Sequence, residues 1–122
     1  MSTGPGDVRL EIATAYMEKQ SEPQRRRFVF SYTITIAHHG DEAVKLLERH
    51  WIITSGDGEQ QEVRGSGVVG QQPRLVPGTA FRYTSGAVLA TEVGTMEGSY
   101  TFVSDAGRRF DVPIPPFRLA VP

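Results

Sequence analysis

The chain has 122 residues, 39% of them hydrophobic, and a formal net charge of -1 at pH 7. This length allows one domain to bury roughly two thirds of its unfolded surface, so a core can form without disulfide bonds. The near-neutral charge excludes a global attraction to nucleic acid or to an anionic membrane, and the absence of cysteine excludes disulfides, thiolate metal sites and cysteine nucleophiles. Because the sequence shows no long apolar run and no secretion leader, we expect a cytoplasmic protein without membrane contact.

The N-terminal part predicts a short tail, a strand and a polar connection. Residues 1–7 are rich in Gly, Pro and Ser and are predicted to be flexible, which leaves a single domain over residues 8–122. Apolar and polar side chains alternate from Val8 onward, which predicts a first half-buried strand. The arginine run at residues 25–27 has no interleaved aromatic residues, so we interpret it as a solvated strand entry and expect no nucleic-acid binding.

The clearest strand runs from Phe28 to Ala37, where aromatic and aliphatic side chains occupy every second position. A turn with three potential metal ligands, His38, His39 and Asp41, follows it. Adjacent histidines of an extended backbone usually point apart, and a zinc-like site needs three or four ligands that converge from separate elements. We therefore expect a solvated turn and assign no metal ligand, with a metal site here as the alternative.

The only tryptophan lies on a strand whose apolar pattern changes phase. Val44 and Leu46 share one inward parity, whereas Trp51 has the opposite one, which predicts a β-bulge near Leu46 and Leu47. The Ser-Gly-Asp-Gly run at residues 55–58 is typical of a two-residue primed turn that leads into a return strand. This region therefore predicts a bulged strand followed by a hairpin.

The residues from Gly65 to Gly70 have the G-x-G-x-x-G spacing of the dinucleotide-binding fingerprint. That fingerprint needs a helix after the glycines inside a βαβ unit, and Pro73 and Pro77 interrupt the segment where the helix would be. A P-loop is also excluded, because Gln71 stands where that motif needs lysine. We therefore expect a bulged turn where the backbone passes close to a neighbouring strand.

An anion-binding nest is the alternative for this glycine segment. Consecutive backbone amides in an irregular loop can hold a phosphate without any helix. The ligand of such a nest would be a small phosphate-containing molecule. The candidate residues for the site are Arg64, Gly65, Ser66, Gly67, Gly70 and Arg74.

The C-terminal half predicts further short strands. Tyr100 occupies a position typical of the corner tyrosine of immunoglobulin-type sandwiches, whose hydroxyl bonds to backbone near a turn. Residues 104–107 predict a hairpin turn. The three prolines between residues 113 and 116 predict an edge strand or one that leaves the sheet, followed by a last short strand from Phe117.

Together these patterns predict an all-β fold without substantial helix. Short strands at regular spacing favour an antiparallel two-sheet sandwich, fibronectin type III or immunoglobulin-like, with about seven or eight strands. The residues suggest no catalytic set, because Ser66 does not lie in a G-x-S-x-G elbow and the acids fall mostly in turns or on exposed faces. We therefore expect no enzyme activity, no catalytic residue and no cofactor.

An ordered set of short motifs runs along the chain between Val8 and Leu119. The motifs are Arg49-x-Trp51, Gly65-x-Gly67-Val68-Val69-Gly70, Gln72-Pro73, Pro77-Gly78, Tyr83-Thr84-Ser85-Gly86, Gly94-x-Met96-x-Gly98-x-Tyr100 and Ile114-Pro115-x-Phe117-x-Leu119. This set resembles the ApaG family. The resemblance implies a fibronectin type III-like sandwich in a bacterial protein connected with cobalt resistance and magnesium efflux, and related domains in certain F-box proteins and in a polymerase-delta-interacting protein look like protein-recognition modules. The family brings no agreed catalytic residues.

Two functions of different classes follow from the sequence and the resemblance. The first is a non-catalytic module that binds an unidentified protein partner through an edge strand or a loop surface. A homodimer through edge strands is open under the same reasoning. The alternative is a sensor of a phosphate or nucleotide, bound at the Gly65–Gly70 loop, or of a divalent cation.

Overall fold

The computed structural model describes residues 7–122, and the regular structure of this range is almost entirely β. Its eight strands are β1 (Val8–Tyr16), β2 (Phe28–His38), β3 (Val44–Ser55), β4 (Gln60–Ser66), β5 (Arg74–Leu75), β6 (Ala80–Leu89), β7 (Val93–Ser104) and β8 (Arg109–Ala120). Two single-turn 3-10 helices, Glu18–Gln20 and Pro23–Arg25, connect β1 to β2. The segment predicted to be flexible, residues 1–7, lies outside the described residues except for Asp7.

The strands form two sheets. The small sheet has the order β1-β2-β6, and the large sheet has the order β4-β3-β7-β8, with β5 also paired to β3. Neighbouring strands are antiparallel in both sheets over the described range. The predicted all-β, two-sheet antiparallel sandwich of the fibronectin type III or immunoglobulin-like class is therefore confirmed. Neither 3-10 helix of the described chain has the length or the apolar character to cross a bilayer.

Trp51 lies in the core between the two sheets. Its side chain is only 2% exposed, and its ring centroid lies 5.4 Å from that of Tyr32, 5.9 Å from that of Phe117 and 6.3 Å from that of Tyr100. The three rings meet the indole edge to face, a geometry that stabilises aromatic pairs beyond the area they bury. The inward side chains of β2 supply the opposing half of this core, as their alternation predicts.

An extra residue in β3 allows both halves of this strand to face the core. The register between β3 and β7 shifts between Leu46 and Glu48, which leaves Leu47 without a partner on β7. As a result both Leu46 and Trp51 are buried, although an odd number of positions separates them. The predicted β-bulge is confirmed. The carbonyl oxygen of Leu47 also accepts a hydrogen bond from the amide of Gly67 at 2.8 Å.

The hairpin between β3 and β4 has a different turn from the predicted one. Of its two glycines only Gly58 has a positive φ, of 90°. The Gly58 amide donates to the Ser55 carbonyl at 2.9 Å, and the Ser55 amide donates to the Glu59 carbonyl at 2.8 Å. This is a three-residue loop with a glycine bulge, so the predicted two-residue primed turn is wrong. The hairpin predicted at residues 104–107 is confirmed and is built in the same way.

The last strand, β8, is continuous from Arg109 to Ala120 and lies at the edge of the large sheet. Its register with β7 shifts where Pro115 and Pro116 together lie opposite the single residue Glu97. A bulge accommodates prolines because these residues donate no ladder hydrogen bond. The predicted edge position is confirmed, whereas the separate short strand expected from Phe117 is wrong because β8 continues through the bulge.

A buried hydrogen bond joins the two sheets. The hydroxyl oxygens of Tyr83 on β6 and Tyr100 on β7 lie 2.5 Å apart, and both side chains are buried. Burial raises the pKa of both phenols above the usual tyrosine value, so both stay neutral at physiological pH. The expected corner role of Tyr100 is wrong, because its hydroxyl bonds to Tyr83 across the core and not to backbone near a turn.

Replacing either tyrosine of this pair should leave one buried hydroxyl without its partner. We expect Tyr83→Phe or Tyr100→Phe to lower the free energy of unfolding by about 1–3 kcal/mol, measured by urea denaturation. The double variant should lose less than the sum of the two single losses, because neither hydroxyl then remains. Tyr16→Phe, at a half-buried ring on β1, is the control and should change little. Fully additive losses would contradict the pairing.

Candidate functional site

The outer face of the large sheet carries a trough of about 490 Å³. It forms because β3, β4, β7 and β8 each direct short or charged side chains outward at the same level of the sheet, as their paired registers require. The lining residues are Glu48, Arg49, His50, Arg64, Gly65, Ser66, Ser99, Thr101 and Asp111. We call this surface the trough.

The trough continues along the sheet into a more apolar section of about 350 Å³. The two sections share His50 and Ser99, so they form one surface. The second section is lined further by Ile52, Glu97, Gly98, Pro113, Ile114, Pro115 and Pro116. A charged half and a more apolar half therefore adjoin on one hydrogen-bonded sheet.

Charged groups of both signs line the first section. Oε1 of Glu62 lies 3.1 Å from Nε of Arg64 and 3.3 Å from Nε2 of His50, although the imidazole is not aligned for a hydrogen bond. The hydrogen bond and the charge of Arg64 lower the pKa of Glu62, so this carboxylate stays ionised at neutral pH. On the opposite side, Thr101 donates its hydroxyl to Asp111 at 2.7 Å.

The glycine segment forms one wall of the trough, and Arg49 holds it in place. Nη1 of Arg49 donates to the carbonyl oxygens of Ser66 and Gly67, at 3.0 Å each. A Cβ atom at Gly65 would lie 2.8 Å from the same guanidinium nitrogen. Glycine at position 65 therefore makes room for the arginine that ties β3 to this segment.

The second half of the motif is a tight two-residue turn. Val68 and Gln71 exchange backbone hydrogen bonds of 2.8 and 2.9 Å, and the two residues between them, Val69 and Gly70, have φ angles of 43° and 78°. Two successive positive φ angles define a primed turn. In the described chain no helix follows the glycines, so the segment is a turn as expected and not the opening of a nucleotide-binding helix.

The six candidate residues of the anion nest do not all meet. Arg64, Gly65 and Ser66 line the trough, whereas Gly67, Gly70 and Arg74 are not among its lining residues. The amide of Gly67 donates to Leu47, and that of Val68 to Gln71, so two backbone donors of the loop are already engaged. Arg74 lies on β5 and forms an ion pair with Asp105, whose pKa it lowers. Anion binding at this loop therefore stays a prediction, centred on Arg64.

The alternative metal ligands are placed apart by the fold. The His38 ring is buried, and its Nε2 lies 2.5 Å from the carbonyl oxygen of Glu42 while its Nδ1 accepts from the Gly40 amide at 3.4 Å. His39 points to solvent. Over residues 7–122 no group of three or more His, Cys, Asp or Glu side chains converges in a way that could hold an ion. The His38 ring thus stabilises the turn after β2, and the expectation of a solvated turn is wrong at this residue because its side chain is buried and hydrogen bonded.

The residues on the far side of the trough carry no signal in the sequence alone. Ser99, Thr101 and Asp111 belong to β7 and β8, and each is unremarkable on its own strand. They meet His50 and Arg64 only because β3 pairs with β7 and β7 with β8 in the observed registers. The signal that could have found them is outward parity on strands that share a sheet, which requires the strand order.

These features define a class of protein: an antiparallel β-sandwich of the fibronectin type III-like kind, with an open trough on its large sheet. Residues 18–104 match the ApaG domain family, and the chain belongs to that family. Its relatives include Protein ApaG of Pseudomonas putida and of Pseudomonas aeruginosa, each 53% identical over all 122 residues of this chain and 97% of the relative. Among solved structures, the putative ApaA protein from Bordetella pertussis superimposes with a TM-score of 0.94 at 47% identity, over 98% of both chains.

The turn of the glycine segment contains a strained residue. Val69 is β-branched, 50% exposed and held at a positive φ, a conformation that costs an L-residue roughly 1–2 kcal/mol. We expect Val69→Asn to raise the free energy of unfolding by about 1 kcal/mol, because Asn-Gly is the preferred pair of such turns. Val76→Asn, at a similarly exposed valine without a positive φ, is the control in the same denaturation measurement. A loss of stability in Val69→Asn alone would contradict this account.

Proposed function

We propose that the chain is a non-catalytic, cytoplasmic protein-binding module whose trough holds an extended segment of a partner protein. The observation that supports this proposal is the continuity of the trough from its charged section to its apolar section. Extended peptides present alternating side chains to such a surface, so one segment can place a charged group and an apolar group in the two halves. Binding on strands also costs little ordering of the receptor, because the hydrogen bonds of the sheet already hold these strands in place.

The residues that line the two halves of the trough indicate which side chains the partner segment would carry. A charged or amide side chain would lie between Arg64 and Asp111, where groups of both signs are present. An apolar side chain would lie against Ile52 and Pro113 in the second section. A segment with these two groups a few residues apart is the partner chemistry that we propose.

We propose no catalytic role for the polar residues of the trough. Ser99 lies opposite His50 in the β3–β7 register, yet no hydrogen bond joins them in the described chain, and the imidazole is not aligned with Glu62. In a serine–histidine–acid triad the nucleophile is activated through both of these contacts. The cobalt and magnesium connection that the resemblance implies would, in this proposal, act through a bound partner such as a transporter.

A bulky residue in the middle of the trough should block the partner. We expect Ser99→Trp to weaken binding of a peptide selected against the wild-type protein by about ten-fold or more, measured by isothermal titration calorimetry. Ser31→Trp is the matched control, since Ser31 is also half buried on the outer face of a central strand, in the small sheet. Thermal unfolding of both variants shows whether the fold is retained.

A photo-crosslinking amino acid at the same two positions tests the proposal in cells. At position 99 it should capture a discrete protein, and at position 31 it should not. Equal capture at both positions, or loss of peptide binding in both tryptophan variants, would remove the trough as the binding surface. If no protein is captured at either position, the proposal of a protein-binding module at this site is wrong.

A phosphate-containing ligand is the second candidate, because Arg64 and Ser66 both line the trough and His50 lies beside them. An arginine and a hydroxyl are suitable donors to phosphate oxygens. Glu48 and Asp111 line the same section, and Glu62 is paired with Arg64 beside it. These three carboxylates oppose an anion, which is why this candidate ranks second. A divalent cation would find acidic groups there, but the convergence that a metal needs is not found over residues 7–122.

Titration with inorganic pyrophosphate distinguishes this candidate. If the anion binds, amide signals of residues 64–66 and of Ser99 should shift saturably in NMR spectra. Arg64→Ala should abolish the shifts, whereas Arg74→Ala should leave them unchanged, because Arg74 is paired with Asp105 and does not line the trough. Equal loss in both variants would indicate a nest that includes Arg74, and no saturable shift in the wild type would rule out the anion.

A further inference from the structure

Strand β4 presents an open edge. It pairs with β3 along one side, and over residues 7–122 no strand pairs with its other side. All residues of β4 except Gly65 are exposed. Val63 is 37% exposed although it lies opposite the buried Trp51. An exposed strand edge is a template on which another strand can pair.

The hydrogen bonds to β3 determine which groups of β4 face outward. Ser55 donates to Glu59 and Gly67 donates to Leu47, so the odd-numbered residues between positions 59 and 67 are the ones bonded to β3. In an antiparallel ladder the bonded side alternates with every residue. The backbone groups of the even-numbered residues therefore point away from the sheet, and these residues are Gln60, Glu62, Arg64 and Ser66.

The order of these side chains is self-complementary. If two β4 strands pair antiparallel about a two-fold axis at Val63, Glu62 of each copy lies opposite Arg64 of the other. An axis at position 62 would place Glu62 opposite itself, and an axis at position 64 would do the same for Arg64. Opposite charges that face each other across a ladder stabilise it, whereas like charges oppose it.

We propose that β4 is a homodimerisation edge, on which a second copy of this chain adds its own β4 antiparallel about an axis at Val63. The pairing satisfies the outward backbone groups and covers the exposed Val63 with its counterpart. Within each copy Glu62 already lies 3.1 Å from Arg64, and the pairing brings the two ion pairs together so that each carboxylate also faces the guanidinium of the other copy. One seven-residue strand pair is a small interface, so the dimer is weak and concentration dependent. It is also weakened by salt, because the ion pairs are exposed.

This inference does not depend on the function of the trough. Arg64 is shared, because it lines the trough and lies at the proposed interface. Dimerisation would place two troughs side by side across the new strand pair. The tests below measure self-association alone and need no ligand.

The absence of cysteine makes a direct test of the register available. Residues at the two-fold axis form a pair without ladder hydrogen bonds, with Cα atoms about 4.5 Å apart, a distance that a disulfide can span. Val63→Cys should therefore form a disulfide-linked dimer under mild oxidation. Val88→Cys, at a similarly exposed valine on the small sheet, should link far more slowly. Equal rates for the two variants would overturn the proposed register.

Charge exchange tests the same register without a covalent bond. In sedimentation at low salt the wild type should form dimers as its concentration approaches millimolar, and Glu62→Arg or Arg64→Glu alone should weaken self-association by about ten-fold. Mixing the two variants should restore dimers, because one copy then offers two positive and the other two negative side chains at the edge. Circular dichroism checks that both variants fold. A wild type that stays monomeric at millimolar concentration, or a mixture that stays monomeric, would overturn the proposal.

Discussion

The single extra residue at Leu47 is the constraint on which the rest of this structure depends. Without it, the two halves of β3 would face opposite sides of the sheet, and either Leu46 or Trp51 would point to solvent. The bulge allows one strand to bury both. Its carbonyl oxygen accepts hydrogen bonds from the Gly67 amide and from the side chain of Gln72, so it also anchors the glycine segment. One backbone irregularity thus orders both the core and one wall of the trough.

Much of the fold could be predicted from the sequence because the alternation of apolar and polar side chains along each strand determines which face is buried. The period-two pattern of β2 and the phase change before Trp51 give strand faces directly, and the structure follows both. The type of turn was harder to predict from the sequence. Gly56 and Gly58 permit several turn types, and the register of the paired strands determines which one forms. The role of Tyr100 depended on its neighbour across the core, Tyr83, which lies on another sheet and leaves no local signal.

The candidate site could be predicted only in part. The glycine spacing led to Arg64, Gly65 and Ser66 as candidate site residues, and these three line the trough. The same spacing also suggested Arg74, but β5 pairs with the start of β3 and directs this side chain to Asp105. The glycines of this segment also have local structural reasons. At position 65, for example, a side chain would collide with the guanidinium of Arg49. The spacing therefore indicates residues on one wall of the trough, and anion binding by them stays a prediction.

The two edge strands of the large sheet differ in how well they can pair with a further strand. β8 carries three prolines, which deny an incoming strand part of its ladder, whereas β4 carries none. Extension of the sheet is thus open in one direction only. Two chains joined through β4 would enclose both receptive edges and leave a proline-bearing strand at each end of the combined sheet. Such an assembly is self-terminating, so the same open edge that favours a pair gives this sheet no route to a fibre.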